Sequence, residues 1–208
     1  MLYLVIFAVL VGCVIAGIKS KSKPKPVEKK PAGPAPVAPE PIEKPQKEVN
    51  PRWTEMPAEP ENGLRAEDYL SSLKVQQDER TAQNAHYSFV VLNMETTGLD
   101  GNEDDILQVV ILDPDGKELL NQMCKPTKVK KWEDAAEVNE IWPKDVAFCP
   151  TFEQIAPYVQ DVLSRATKIV AFSRQYKQWF LEAHGIEPRQ FKWAKDPQKM
   201  ALQYYNLC

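Results

Sequence analysis

Asn93 and Glu95 stand two residues apart near the end of an apolar, β-branched run that begins at Tyr87 and stops at Thr96-Thr97-Gly98. Such a run reads as a buried strand, and the Thr-Thr-Gly that follows reads as a turn. The two side chains therefore project to one face at the carboxyl end of a central strand, where α/β sheets present their ligands. A same-face pair of oxygen-bearing side chains beside a glycine turn suits a hard divalent cation. One member of this pair is an amide, so the spacing is that of a metal site and the charge is not. Asp100, Asp104 and Asp105 follow in the next loop, where a run of acids is ordinarily a solvated surface. Cys13, Cys124, Cys149 and Cys208 make no Cys-x-x-Cys spacing, and two histidines, His86 and His184, are too few for a histidine-rich centre. The bland reading of the cysteines is reduced or buried thiols in a cytosolic domain. A formal net charge of -3 over 208 residues gives none of the overall basic excess that announces nucleic-acid binding.

The elements that would position this pair follow from the patterning. Tyr87 to Asn93 is the first strand, Ile106 to Leu112 the second, and Glu118 to Cys124 the third; Asp113-Pro114-Asp115-Gly116 is a hairpin tip between the last two. Trp132 to Ile141 reads as a short helix with Ala135, Ala136 and Val138 on its apolar side. Thr151 can cap a longer helix, with Gln154 at the capping-box position and Ile155, Val159, Val162 and Leu163 on one face. Lys168 to Phe172 is a fourth strand that feeds a helix carrying Tyr176, Trp179, Phe180 and Leu181, stopped at Gly185. A fifth strand is expected at Phe191 to Ala194 and a closing helix from Pro197 to Leu207. These elements describe a mixed α/β sheet flanked by helices, over residues 85–208. Residues 64–84 form a marginal lead-in helix with Tyr69, Leu70, Leu73 and Val75 as its apolar members.

Ahead of this domain the composition changes twice. Leu2 to Ile18 is almost wholly apolar and uncharged, near the lower limit for a bilayer-spanning helix, and Lys19, Lys21, Lys23, Lys25, Lys29 and Lys30 follow it. With no basic residue before the run, residues 1–18 read as a single-pass inner- or plasma-membrane anchor rather than a signal peptide, with the lysines and the domain on the cytoplasmic side. Leu10-Val11-Gly12-Cys13 offers the alternative of a lipoprotein anchored at Cys13. Residues 19–63, rich in Pro, Lys, Glu and Ala, cannot bury a core and read as a disordered, semi-rigid tether.

Four segments resemble the DEDD proofreading-type 3′–5′ exonucleases, the DnaQ-like group of the ribonuclease H-like fold. Val91-Leu92-Asn93-Met94-Glu95-Thr96-Thr97-Gly98-Leu99-Asp100 is similar to the family's Asp-x-Glu-Thr-Thr-Gly-Leu motif. Asp104 to Val109 resembles its acidic second strand, and Val138 to Val146 its His-Gly-Ile-Thr segment. Ile169 to Leu181 is similar to Val-Ala-His-Asn-x-x-Phe-Asp-x-x-Phe-Leu. The resemblance implies a ribonuclease H-like mixed five-stranded sheet and, in the family, two Mg²⁺ or Mn²⁺ ions held by four carboxylates.

Carried over residue by residue, only Glu95 of the four carboxylates is retained. Asn93 stands at the first aspartate and Lys177 at the aspartate of the helix motif. The family's last aspartate and its histidine lie on a further helix that would follow Cys208, so the resemblance is to a degenerate, carboxyl-terminally shortened member. Thr96, Thr97, Gly98, Leu99 and Phe180 match contacts to the terminal nucleotide of a single strand, and Lys125, Lys128, Lys130 and Lys131 could track phosphates.

Three functions remain compatible with these residues. The first is an inactive, membrane-tethered exonuclease-like domain that keeps a groove for a single-stranded 3′ end and needs no cofactor. The second is an active Mg²⁺- or Mn²⁺-dependent exonuclease that borrows Asp100, Asp104 or Asp105. The third is a protein-interaction scaffold that binds no nucleic acid. The charge reversal also suggests that Lys177 pairs with Glu95 inside the former metal site.

Overall fold

The computed structural model describes residues 51–53 and 56–197. The expected membrane anchor, the possible lipoprotein cysteine, most of the tether and all but the first residue of the closing helix lie outside them. Among the described residues, no helix is long and apolar enough to cross a membrane.

The chain lays down α1 (Ala66–Ala82), β1 (Val90–Thr96), β2 (Ile106–Leu112), β3 (Glu118–Met123), α2 (Glu133–Asn139), α3 (Pro143–Val146), α4 (Phe152–Ser164), β4 (Ile169–Val170) and α5 (Arg174–Ala183). The sheet order is β3-β2-β1-β4, with β1/β2 and β2/β3 antiparallel and β1/β4 parallel. The sheet is mixed and four-stranded, flanked by helices, where five strands were expected. The fifth strand expected at Phe191 to Ala194 is reduced to a single parallel bridge between Trp193 and Ile169. Its partner explains the loss: β4 is two residues long, so there is almost no ladder to extend.

The hairpin tip forms as its residues dictate. The Asp113 side chain accepts from the Asp115 and Lys117 N–H groups at 2.9 Å, and Gly116 takes a φ of 82°, which an L side chain adopts only with strain. Thr151 and Gln154 make the capping box at the start of α4: the Gln154 Oε1 accepts from the Thr151 N–H at 2.9 Å. The main core lies between α4, α5 and one sheet face, built on Leu92, Met94, Val109, Ile111, Ile155, Val159 and Phe180. Between Glu95 and Thr96 the register of β1 against β2 slips, Glu95 facing Gln108 and Thr96 facing Ile106. The bulge turns Ile106 onto the main-core face with Val109 and Ile111, and leaves Leu107 in a second cluster with Trp132, Ile141 and Trp142. Strict alternation would have put Leu107, not Ile106, on the face of Val109 and Ile111. In α2 Ala136 is buried but Val138 is exposed, contrary to its expected place on the apolar side.

Other boundaries move: the first strand is Val90–Thr96 rather than Tyr87 to Asn93, and the fourth is Ile169–Val170 rather than Lys168 to Phe172. The helix at 66–82 packs on the domain: Leu73 joins the main core, and Arg80 is buried. The Arg80 guanidinium donates to the Asp161 carboxylate and the Leu119 carbonyl, each at 3.2 Å, which ties α1 to α4 and to the outer edge of β3. Residues 51–53, expected in the tether, form a short turn whose Trp53 ring packs edge-on against Trp132 and Trp142, with centroids 5.2 and 5.9 Å away. Breaking the Arg80–Asp161 contact by Arg80→Ala should cost about 2–3 kcal/mol, since Asp161 keeps Arg165 as a partner while the Leu119 carbonyl loses its donor. Urea unfolding of the full chain measures this.

Candidate functional site

The pair that opens the sequence reading sits as its spacing requires. Asn93 and Glu95 lie on the sheet face opposite the main core, half-buried, and the Asn93 amide donates to Glu95 Oε1 at 3.0 Å. β4 pairs with β1 only at Val90 and Val91, so the β1 edge beyond them has no strand beside it. α5 fills that space. Ser173, in the left-handed region at φ 54°, turns the chain from β4 into α5, and the first turn of the helix then places Tyr176 and Lys177 against the end of β1.

Lys177 takes up the unpaired backbone. Its Nζ donates to the Met94 carbonyl at 2.8 Å, and the residue is 7% exposed. The direct Lys177–Glu95 ion pair suggested by the charge reversal does not form; the ammonium goes to the carbonyl, and Glu95 acts on it only as a nearby charge. The simpler alternative, an ammonium snorkelling to solvent, does not hold either. Burial pulls the Lys177 pKa down to about 8, and the Glu95 charge opposes that shift.

The motif that follows β1 is occupied by its own hydrogen bonds. The Tyr176 hydroxyl donates to the Gly98 carbonyl at 3.0 Å and shares a 2.6 Å bond with the Thr96 hydroxyl, while Asn139 Nδ2 donates to the Thr96 carbonyl at 3.2 Å. Burial raises the Tyr176 pKa, the Thr96 bond opposes that, and the Asp104 and Glu95 charges add to it. Thr97 Oγ1 donates to Asp104 and accepts from the Asp105 N–H, both at 2.9 Å. Gly98 is required by close approach, since a Cβ there would overlap the Asp104 carboxylate.

The acids considered as borrowed metal ligands are likewise engaged. Asp104 accepts from Thr97 and from the Asp100 N–H. Asp105 is buried and accepts from Thr127 Oγ1 at 3.1 Å and from the Lys128 and Val129 N–H groups at 2.8 Å. It thereby anchors the lysine-bearing segment after β3, a role that a separation of more than twenty residues hides from any local pattern.

The residues matched to nucleotide contacts divide sharply. Phe180 is 0% exposed, stacked on His184 and packed on Tyr176, so its ring offers no face to a ligand. The expected contact through Phe180 is corrected by that burial. Thr96 and Thr97 are buried as well, and their hydroxyls are committed. Leu99 is 82% exposed, and Trp179 of α5 is 38% exposed and covers Gly101. Lys125, Lys128, Lys130 and Lys131 are exposed in the loop after β3, with Lys128 Nζ donating to the Asn102 carbonyl at 3.0 Å. His184 holds the Phe180 carbonyl through Nδ1 at 2.8 Å, and burial pulls its pKa down. Burial pushes the Cys149 thiol up to about 11 and Cys124 higher still, so neither is a ready nucleophile.

The donor set at the end of β1 does not fit a pair of divalent ions. It comprises one carboxylate, one amide already turned toward that carboxylate, and an ammonium at the position where a cation would gain most from a carboxylate. Among the described residues, no group of three or more His, Cys, Asp or Glu side chains is arranged to hold a metal.

Because the folded pKa of Lys177 lies below 10.5, the unfolded chain binds more protons between about pH 8 and 10.5. Burying the charged form therefore costs on the order of 3 kcal/mol below pH 8, and this cost is relieved as pH rises through the window. Urea unfolding across that range should show the full chain gaining stability relative to Lys177→Met by about this amount. Equal pH profiles for the two proteins would contradict a buried ammonium.

No protein-family model matches the chain, and no curated protein sequence matches it. Among solved structures it is similar to a product-bound exonuclease I, with 13% identity and a TM-score of 0.49, over 58% of this chain and 32% of that one. It is also similar to E. coli exonuclease I in complex with an oligonucleotide and to an exonuclease I/SSB-Ct complex, each with 12% identity and a TM-score of 0.45, over 58% of this chain and 30% of theirs. The chain thus spans about a third of the length of these structural neighbours.

Proposed function

We propose that this chain is a catalytically silent exonuclease-like domain, tethered to a membrane through residues 2–18, that works as a binding module. The observation that carries this reading is the Lys177 ammonium, buried beside Glu95 and bonded to the Met94 carbonyl. Two-metal phosphodiester cleavage needs negative charge to balance its cations and a metal-bound hydroxide to attack. Here a lysine side chain stands where one carboxylate belongs and an amide stands at another. Positioning alone cannot replace the missing nucleophile against so slow a reaction. With Mn²⁺, the full chain should release no nucleotides from the 3′ end of labelled single-stranded DNA, and Glu95→Gln should change nothing. Degradation that depends on Mn²⁺ and disappears in Glu95→Gln would overturn the proposal and restore the active-enzyme reading.

Retention of a single-strand contact is supported by one specific observation: Leu99 is exposed on the loop after β1, the half-exposed Trp179 of α5 lies against Gly101 of that loop, and Lys128 holds the carbonyl of the next residue, Asn102. An aromatic face beside a lysine is suited to stacking a base while a phosphate is neutralised. On this reading Trp179→Ala weakens binding of a single-stranded oligonucleotide about tenfold at low salt, as expected for loss of one stacked base. Absence of any binding at low salt would remove this contact and leave the protein-interaction reading.

A further inference from the structure

A groove of about 1000 Å³ lies between the amino-terminal half of α1, the outer edge of β3 and the α2–α3 segment. Its charged lining is one-sided: Glu61, Asp68, Glu140 and Asp145 against the single ammonium of Lys144, which itself sits 3.9 Å from Glu61. Such a lining repels phosphate and attracts cationic side chains. The groove is also bounded by backbone. β3 ends the sheet, and the Cys124 N–H donating to the Leu107 carbonyl at 2.8 Å sets the alternation along it. The main-chain groups of Leu119, Asn121 and Met123 therefore face outward. Arg80 occupies the Leu119 carbonyl, and Gln122 Nε2 occupies that of Met123 at 2.9 Å. Asn121 is exposed and lines the groove, and no partner for its main-chain N–H and C=O is found among the described residues. One strand-like attachment point is thus left open between two that are capped.

We propose that this groove receives an extended, lysine- or arginine-bearing segment of a partner protein, which adds to the β3 edge at Asn121 and places its cations against Glu61 and Glu140. Main-chain bonds to an edge give such complexes affinity, and alternate side chains give specificity. The inference rests on the binding-module reading and names its partner.

The test uses the full chain and a fluorescent ten-residue peptide of alternating Lys and Thr, with an alternating Glu-Thr peptide as control. Fluorescence anisotropy should show binding of the first, weakening with salt, and none of the second. Glu61→Gln with Glu140→Gln should weaken binding about tenfold; both side chains are exposed, and Glu140 ends α2 through its main-chain N–H, which the substitution keeps. Methylating alternate main-chain nitrogens of the peptide should also weaken binding, with the protein untouched. The proposal is overturned if the Lys-Thr peptide fails to bind at low salt, if the double variant binds as tightly, or if backbone methylation has no effect. A groove that takes single-stranded DNA in competition with the peptide, or that is blocked by self-association of the chain, overturns it equally. These outcomes are independent of the nuclease assay, so a failed groove and a live active site are told apart.

Discussion

β1 is hydrogen-bonded along its length on one side and over only two residues on the other. That asymmetry governs the site. A buried carbonyl without a donor costs about 1–3 kcal/mol, so the open edge of β1 requires a polar group from outside the sheet. α5 supplies it as the Lys177 ammonium, and the cost of desolvating a charge is offset by the Met94 carbonyl and by the field of Glu95. A hydrogen-bond donor is what this edge needs, and a carboxylate at the same place would add a second acceptor.

Around that contact the Thr-Thr-Gly turn is closed on itself. Tyr176, Asn139, Asp104 and Asp105 consume the polar groups of Thr96 and Thr97, and the Asp104 carboxylate fills the space that Gly98 leaves. A segment with the appearance of a ligand-binding turn is in fact a satisfied internal network. Such networks hold one geometry firmly and leave few groups for a substrate. What remains accessible lies beside the turn, at Leu99 and Trp179, and on the far side of the sheet, in the acidic groove under α1.

Much of this architecture could be read from the residues. The second strand was legible to the residue because its apolar run is bounded by an acidic loop and a Pro-Asp-Gly tip, and α4 was legible from Thr151 and Gln154. Asn93 and Glu95 were legible as a same-face pair because the side-chain period of a strand leaves no alternative. The fifth strand was misread because its pairing depends on how long β4 runs. The place of Trp53 was missed because Pro and Lys around it dominate the composition, and its partners lie some eighty residues further on.

The sequence by itself determined local identity: the second and third strands and their hairpin, the cap of α4, and one carboxylate beside one amide on the same face at the end of the first strand. Those features rest on backbone geometry and side-chain chemistry within a few residues. The tertiary structure alone decided where Lys177 points, that Phe180 is buried while Trp179 is half-exposed, and that four acids from separate elements share one groove. Each of these is a competition for partners among groups far apart in the chain, and burial settles such a competition only once the sheet and helices have closed around it.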